Sequence, residues 1–221
     1  MSTRLLTIFV CSLIGTGILM AKEAIPENFM VVIREAENAQ HSSVMLKPEY
    51  PQTAEIDGEV VEINMAWFSL IGDTQIRFVF DSETTMANVD VDEFLSYELS
   101  PQEAIDTAVT NIEKSYGIAT YSKWQEGIYI VEAGSDDLAS SHFLNDRLWL
   151  KVEEEFPDGI VAAIPDRGTL LFAPLADENA SSLLVNNVQR LMESSEAQGV
   201  SRYSYIRVNN EWELVQFADN N

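Results

Sequence analysis

The chain has 221 residues, with 36 acidic against 13 basic side chains and a formal net charge of −23. This excess repels phosphate backbones and anionic lipid headgroups, which argues against binding to nucleic acid or to a membrane surface. The one cysteine, Cys11, lies in the first apolar segment. The rest of the chain therefore offers no disulfide, thiol nucleophile or thiolate metal site, and we predict no cofactor.

The N-terminus predicts a secretory signal peptide at residues 1–21. A short basic segment, Met1–Arg4, precedes an uncharged apolar segment, Leu5–Met20, which is the order that such signals have. Cleavage after Ala21 or Ala24 would release the chain into the periplasm or the exterior. Neither position is a clean small-x-small cleavage site, so an uncleaved anchor in the inner membrane is the alternative. An exported chain without disulfides favours a bacterial periplasm.

Residues 25–82 predict a small N-terminal α+β region. Pro26–Ala39 is predicted as a helix, because proline suits a first helical turn and the apolar residues follow a helical spacing. Glu59–Ser69 and Thr74–Phe80 alternate between apolar and polar side chains, which predicts two strands of a hairpin. Residues 83–99 are predicted as a solvated acidic connector, without the glycine that a calcium-binding loop of this spacing needs.

Residues 100–217 predict a larger C-terminal α+β domain, followed by a short tail at 218–221. Ser100-Pro101-Gln102-Glu103 matches a helix capping box with proline at the first helical position. The pattern after it repeats one helix and two strands, and the last strand pair flanks Asn209-Asn210, a hairpin signal. The predicted fold is α+β: a mostly antiparallel sheet with helices packed on one face, preceded by the smaller N-terminal half.

The centre of this domain predicts a helix, a strand, a tight turn and a second strand. The helix carries apolar residues every fourth position from Leu144 to Phe156, and Ser140 or Ser141 is a candidate N-cap. Ile160–Ile164 is a continuous apolar run, which predicts a strand buried on both faces. Pro165–Gly168 has the residue types of a turn.

This central stretch resembles a known family. Ala139-Ser140-Ser141, the aromatic-rich helix, the strand that runs into Pro165-x-Arg167 and the final tyrosine-containing hairpin are similar to the YtpQ-like family of uncharacterised proteins. The resemblance covers about Leu99 to Val215. The family pattern places an acidic residue after the arginine, whereas here Gly168 follows it and Asp166 precedes it. The resemblance implies a shared fold and brings no activity with it.

Asp166 and Arg167 are candidate binding residues at the tip of the predicted turn. Arg167 is one of few cations in a very acidic chain and could bind a carboxylate or an acidic group of a partner. The structural alternative is a turn closed by an internal ion pair between the two residues.

Tyr203, Tyr205 and Arg207 form a second candidate binding set. Their spacing places them on one face of a strand, with Trp212 in the partner strand. They could form an exposed aromatic recognition surface or, alternatively, part of the core.

His142 follows Ser140 and Ser141 and has several aspartates nearby, but catalytic triads are assembled by tertiary geometry rather than by adjacency in sequence. The only other histidine is distant, so we predict no metal site. We therefore predict a noncatalytic binding or interaction module for an unknown protein or small ligand. The alternative is a periplasmic hydrolase that uses clustered carboxylates.

Overall fold

A computed structural model describes residues 24–36, 39–50, 52–56, 58–195 and 198–215. The predicted signal peptide and the C-terminal tail lie outside these ranges. Among the described helices, none combines the length and the apolar character that a membrane crossing needs.

Strands account for much of the described chain. In chain order they are β1 (Phe29–Glu35), β2 (Gln52–Ile56), β3 (Glu59–Ile63), β4 (Trp67–Ser69), β5 (Thr74–Asp81), β6 (Met86–Asn88), β7 (Thr120–Gln125), β8 (Ile128–Glu132), β9 (Ile160–Asp166), β10 (Thr169–Pro174), β11 (Ser204–Val208) and β12 (Glu211–Leu214). The helices are α1 (Val91–Ser96), α2 (Pro101–Tyr116), α3 (Asp146–Glu155) and α4 (Glu178–Ser194), with a 3₁₀ turn at Ala139–Leu144.

The strands form two main antiparallel sheets. The first has the order β1-β5-β4, with β6 also paired to β5, and the second has the order β12-β11-β9-β10-β8-β7. Strands β2 and β3 form a separate hairpin. The α+β class and the mostly antiparallel sheet predicted from the sequence are confirmed.

Helices cover both faces of the second sheet. Val161, Ala163 and Leu171 point toward α4 and share an apolar cluster with it. Their neighbours in the strands belong to the other cluster, and Phe172 contacts Trp149 of α3 at 5.8 Å between ring centroids. The prediction of helices on one face needs this correction, because side chains alternate along a strand and both apolar faces of this sheet require cover.

The two sheets share one apolar core. Phe29 and Phe78 of the first sheet are buried in the same cluster as Trp149 and Phe172 from the C-terminal half. Phe29 and Phe78 stack at 5.1 Å between ring centroids. The N-terminal strands are therefore packed into the body of the protein.

The predicted helix at Pro26–Ala39 is wrong. Its centre is β1, which pairs with β5 along its whole length. The residues from Phe29 to Ile33 are all buried, so the segment is a strand with two apolar faces rather than a helix with one. A short continuous apolar run fits both interpretations, and here pairing with β5 decides between them.

The acidic segment at residues 83–99 is largely exposed, but it is folded and a few of its side chains reach the core. It contains β6 and α1, and the Asp90 side chain caps α1 by accepting a hydrogen bond from the Glu93 N–H at 2.8 Å. Phe94 and Tyr97 are buried. Asp90 is exposed and also acts as a helix cap.

Helix α2 and the last hairpin agree with the sequence. Ser100 and Glu103 form the predicted capping box, and Asn209 and Asn210 have φ of 53° and 66° between β11 and β12. Both positive angles are those of a tight hairpin turn. The predicted strand at Glu59–Ser69 is instead divided into β3 and β4.

The central helix begins later than predicted. Ser140 and Ser141 lie in the 3₁₀ turn, and α3 is capped by Asn145, whose Oδ1 accepts a hydrogen bond from the Leu148 N–H at 3.3 Å. The two serines are fully buried. Asparagine is as good an N-cap as serine, and the compact turn before it carries the serines into the core.

Candidate functional site: an arginine cluster

Asp166 and Arg167 do not form an ion pair with each other. One carboxylate oxygen of Asp166 accepts a hydrogen bond from the Gly168 N–H and the other from the Ser195 hydroxyl, both at 2.9 Å. Asp166 therefore closes the turn between β9 and β10 and ties it to the end of α4. The Arg167 guanidinium therefore does not pair with Asp166 and is available for another interaction.

Two further arginines lie on one face of the first sheet. Arg77 of β5 pairs with Val32 of β1, and Gln75 pairs with Arg34. Since side chains two residues apart in a strand point the same way, Arg34 and Arg77 are diagonal neighbours on a single face. Such diagonal neighbours are about 7–8 Å apart, with their Cβ atoms somewhat closer, which is within reach of two long side chains.

The 3₁₀ turn at Ala139–Leu144 connects the backbone of Arg167 to the sheet that carries Arg34 and Arg77. The Ser140 N–H donates to the Arg167 carbonyl oxygen at 3.0 Å, and the turn that contains Ser140 packs against β1. Arg167 comes from the second sheet and Arg34 and Arg77 from the first. The cluster thus lies where the two halves of the molecule meet. We call Arg34, Arg77 and Arg167 the arginine cluster.

The three positive charges repel one another. Burial, together with the charges of Arg167 and Arg77, lowers the pKa of Arg34 to about 10, against a weaker opposing effect of Asp137. Burial and the charge of Arg167 also lower the pKa of Arg77. Guanidinium groups ordinarily keep their proton far above physiological pH. The shifts therefore arise first from burial and second from repulsion between neighbouring guanidinium groups.

Within the described part of the chain, no carboxylate lies within ion-pair distance of the cluster. The ion pairs found there involve Arg147, Arg202 and Arg207. Arg34 donates one hydrogen bond, from Nη1 to the Ile33 carbonyl oxygen at 2.7 Å. The chain as a whole is strongly acidic, yet these three arginines form no ion pair with any described residue.

Several buried donors at the cluster have no hydrogen-bond partner. The guanidinium of Arg77 lies 3.9 Å from the ring centroid of Trp67. The Nε atoms of Arg77 and Arg167 and the indole Nε1 of Trp67 are all buried without a partner. A buried donor that has lost water and gained nothing costs about 1–3 kcal/mol. The Nε of the ion-paired Arg207 is in the same state, so the absence of carboxylates, rather than the unpaired Nε atoms, distinguishes this cluster.

The second candidate set is largely internal. Tyr205 is fully buried and its hydroxyl lies 2.6 Å from the Ser201 Oγ. Burial raises the pKa of Tyr205. Arg207 is buried between Asp146 and Glu153, at 3.2 and 3.3 Å. Tyr203 is partly exposed, and its hydroxyl accepts a hydrogen bond from the Gln40 side chain at 2.6 Å. This geometry favours the structural alternative for Tyr205 and Arg207.

His142 has no serine partner among the described residues. Its Nδ1 lies 3.3 Å from the Asn145 Nδ2, and burial lowers its pKa. The hydroxyls of Ser140 and Ser141 are buried without a hydrogen bond. A serine nucleophile needs a base within hydrogen-bond reach, and these residues do not supply that pair.

The sequence analysis identified Arg167 as a candidate binding residue but did not identify Arg34 or Arg77. Arg34 ends an apolar run and Arg77 lies between Ile76 and Phe78. A basic side chain inside an otherwise apolar strand is uncommon and could have marked both positions. Their association with Arg167 depends on pairing between distant segments.

Comparison of the chain with protein-family models, curated proteins and solved structures found no match in any of the three. The resemblance to the YtpQ-like family stays a prediction.

Proposed function

We propose that this protein is a noncatalytic binding module for a small anion that carries at least two negative charges, held by the arginine cluster. The proposal rests on one observation: Arg34, Arg77 and Arg167 lie near enough for their charges to affect one another, and none of the three forms an ion pair with a described residue. The proposal develops the sequence-based prediction that Arg167 binds a carboxylate or another acidic group.

An anion would remove the repulsion among the three guanidinium groups. Guanidinium donates two parallel hydrogen bonds to carboxylate or phosphate oxygens, and such charge-assisted bonds are about twice as strong as neutral ones. A monocarboxylate is saturated by one arginine, whereas a phosphate, sulfate or polycarboxylate offers enough oxygens and charge for three. This difference in charge and acceptor number supports a multiply charged ligand.

The chain's overall charge supports a small ligand rather than a polyanion. A long polyanion would extend past the cluster onto a surface that is strongly acidic, where it would be repelled. A ligand of a few atoms meets only the local positive charge. If the predicted signal peptide acts, this binding takes place in the periplasm or outside the cell.

Arginines held this way bind and orient rather than transfer protons. Even the lowered pKa of Arg34, about 10, leaves the group protonated at neutral pH. A hydrolase would also need a nucleophile and a base in contact, and the buried His142 and its neighbouring serines do not form such a pair in the described structure. The binding role is therefore the better supported of the two.

The test is isothermal titration calorimetry of the mature chain with sulfate, phosphate, citrate and acetate in a low-salt buffer. Sulfate and citrate should bind, acetate should bind at least tenfold more weakly, and Arg77→Met should abolish sulfate binding. Arg147→Met is the matched control, because Arg147 is exposed and ion-paired to Glu113. Equal binding of all four anions, or equal losses in both variants, would overturn the proposal.

A further inference from the structure

The loop that follows β8 lies against the turn that carries Arg167. The Asp136 carbonyl oxygen is so close to Gly168 that a Cβ atom added to this glycine would be 2.7 Å from it. Further along, the Ser140 N–H donates to the Arg167 carbonyl oxygen at 3.0 Å. Asp137 is therefore held between two backbone contacts with the Arg167 turn.

Both ends of this loop are fixed. At its start, a Cβ atom added to Gly134 would overlap the carbonyl oxygen of Tyr116 at the end of α2. At its end, the Leu138 side chain is fully buried. The place of Asp137 beside the arginine cluster is thus set by the packing of the loop on the protein.

Asp137 acts on the arginine cluster through its charge. Burial and the charges of Arg167 and Arg77 lower the pKa of Arg34, and the carboxylate of Asp137 acts against them. The Asp137 side chain is exposed and forms no ion pair with a described residue. Asp136 is also exposed but is not among the charges that act on Arg34. Asp137 is therefore a counter-charge that lies beyond ion-pair distance.

The charges of these four groups favour an anion with two charges. Three guanidinium groups and one carboxylate leave two positive charges without compensation, because arginines stay protonated at neutral pH. A dianion would neutralise that excess. A trianion would add a further negative charge beside Asp137, which would repel it.

We propose that Asp137 is a specificity-determining residue of the anion site and that it selects a dianion, such as sulfate, hydrogen phosphate or a dicarboxylate, over a trianion. The inference rests on the proposed function, since it needs an anion at the arginine cluster. The Asp137 carboxylate repels the bound anion in proportion to the charge of that anion. Its removal therefore strengthens the binding of every anion, and most strongly that of the anion with the highest charge.

Two probes with the same carbon chain test this selection. Glutarate is a dianion, and tricarballylate is a trianion that differs by one more carboxylate on the central carbon. Calorimetry at pH 8 in a low-salt buffer measures both affinities with the acids ionised. Asp137→Asn should raise the affinity for glutarate about three- to tenfold and the ratio of tricarballylate to glutarate affinity about two- to threefold. An unchanged ratio would overturn the proposal.

Two control variants separate this effect from net charge and from folding. Asp136→Asn removes the same charge from an exposed position one residue away and should raise the glutarate affinity by about twofold at most. Asp137→Glu retains the charge and should bind both probes as the parent does. Equal gains in Asp136→Asn and Asp137→Asn, or an Asp137→Glu variant that binds like Asp137→Asn, would overturn the role of Asp137.

Sulfate distinguishes this inference from the proposed function. Asp137→Asn should also bind sulfate more tightly than the parent, and the gain should decrease at high salt, which screens charges that are not in contact. If the parent binds sulfate and Asp137→Asn gains no more than Asp136→Asn, the anion site stands and the role of Asp137 is wrong. If the parent and all variants fail to bind sulfate, the proposed function is wrong and this inference fails with it.

Discussion

Two arginines of this protein lie over tryptophan rings, yet their surroundings are opposite. Arg207 lies 5.3 Å from the ring centroid of Trp212 and has two carboxylates at 3.2 and 3.3 Å. Arg77 lies 3.9 Å from the ring centroid of Trp67. It has no described carboxylate within ion-pair distance, and burial and the charge of Arg167 lower its pKa.

The difference separates an arginine that supports the fold from arginines that are available to a ligand. A buried charge is tolerated when a partner compensates the water it has lost. Arg207 has that compensation inside the protein. The arginine cluster lacks it within the described residues, so its compensation has to come from solvent or from a bound anion. Four measurements test this contrast, in order of decreasing effect.

Arg207→Met should lower the free energy of unfolding by about 3 kcal/mol, because it leaves Glu153 without its buried counter-charge. The Glu153 side chain is 18% exposed, whereas Asp146 is 68% exposed and stays solvated. Urea denaturation of the variant and the parent measures this difference. Arg147→Met should cost less than about 1 kcal/mol, because Arg147 is 56% exposed and Glu113 keeps the hydrogen bond that it accepts from the Asn145 side chain. Equal losses in the two variants would contradict the structural role of Arg207.

Arg34→Met should raise the free energy of unfolding by about 1 kcal/mol, an effect opposite in sign to that of Arg207→Met. The variant removes a partly buried charge that is repelled by Arg77 and Arg167, and an apolar side chain of similar length fits such a position better. The measurement is urea denaturation in a buffer free of multivalent anions. A loss of 2 kcal/mol or more would show that Arg34 is already compensated.

The difference in the free energy of unfolding between Arg34→Met and the parent should decrease as the pH rises from 8 to 11. Below about pH 10, Arg34 is charged in both the folded and unfolded chains, so the folded state carries the full penalty. Above its lowered pKa of about 10, the folded chain releases the proton that the unfolded chain retains, and parent stability increases relative to the variant. Paired denaturation curves cancel the titration of the lysines and tyrosines. A free-energy difference that stays constant over this pH range would contradict the lowered pKa of Arg34.

Glu35→Gln should have the smallest effect, a loss of a few tenths of a kcal/mol. Glu35 accepts a hydrogen bond from Arg202 at 2.9 Å, but the Arg202 side chain is half exposed, and exposed ion pairs contribute little. Thermal denaturation at low and high salt measures it, with the difference disappearing at high salt. A loss above 1 kcal/mol would show that the exposed Glu35–Arg202 pair stabilises the fold as the buried ion pairs of Arg207 do.

Local signals predicted local structure well. The capping box at Ser100 and the turn at Asn209-Asn210 were correct because each depends on a few adjacent residues and their backbone preferences. The helix predicted over Phe29 was wrong because an apolar run of that length has no local preference strong enough to resist pairing with β5. The buried Phe94 shows the same limit, since an acidic segment can still have one face in the core.

The amino-acid sequence by itself determined the α+β class, the beginning of α2, the final hairpin and the choice of Arg167 as a candidate binding residue, all of which follow from residues close together in the chain. Only the tertiary structure decided that Asp166 would turn away from Arg167, that helices would cover both faces of the larger sheet, and that Arg34 and Arg77 would join Arg167. Those outcomes depend on which distant strands pair and which faces they bury. That choice is made by the whole core at once.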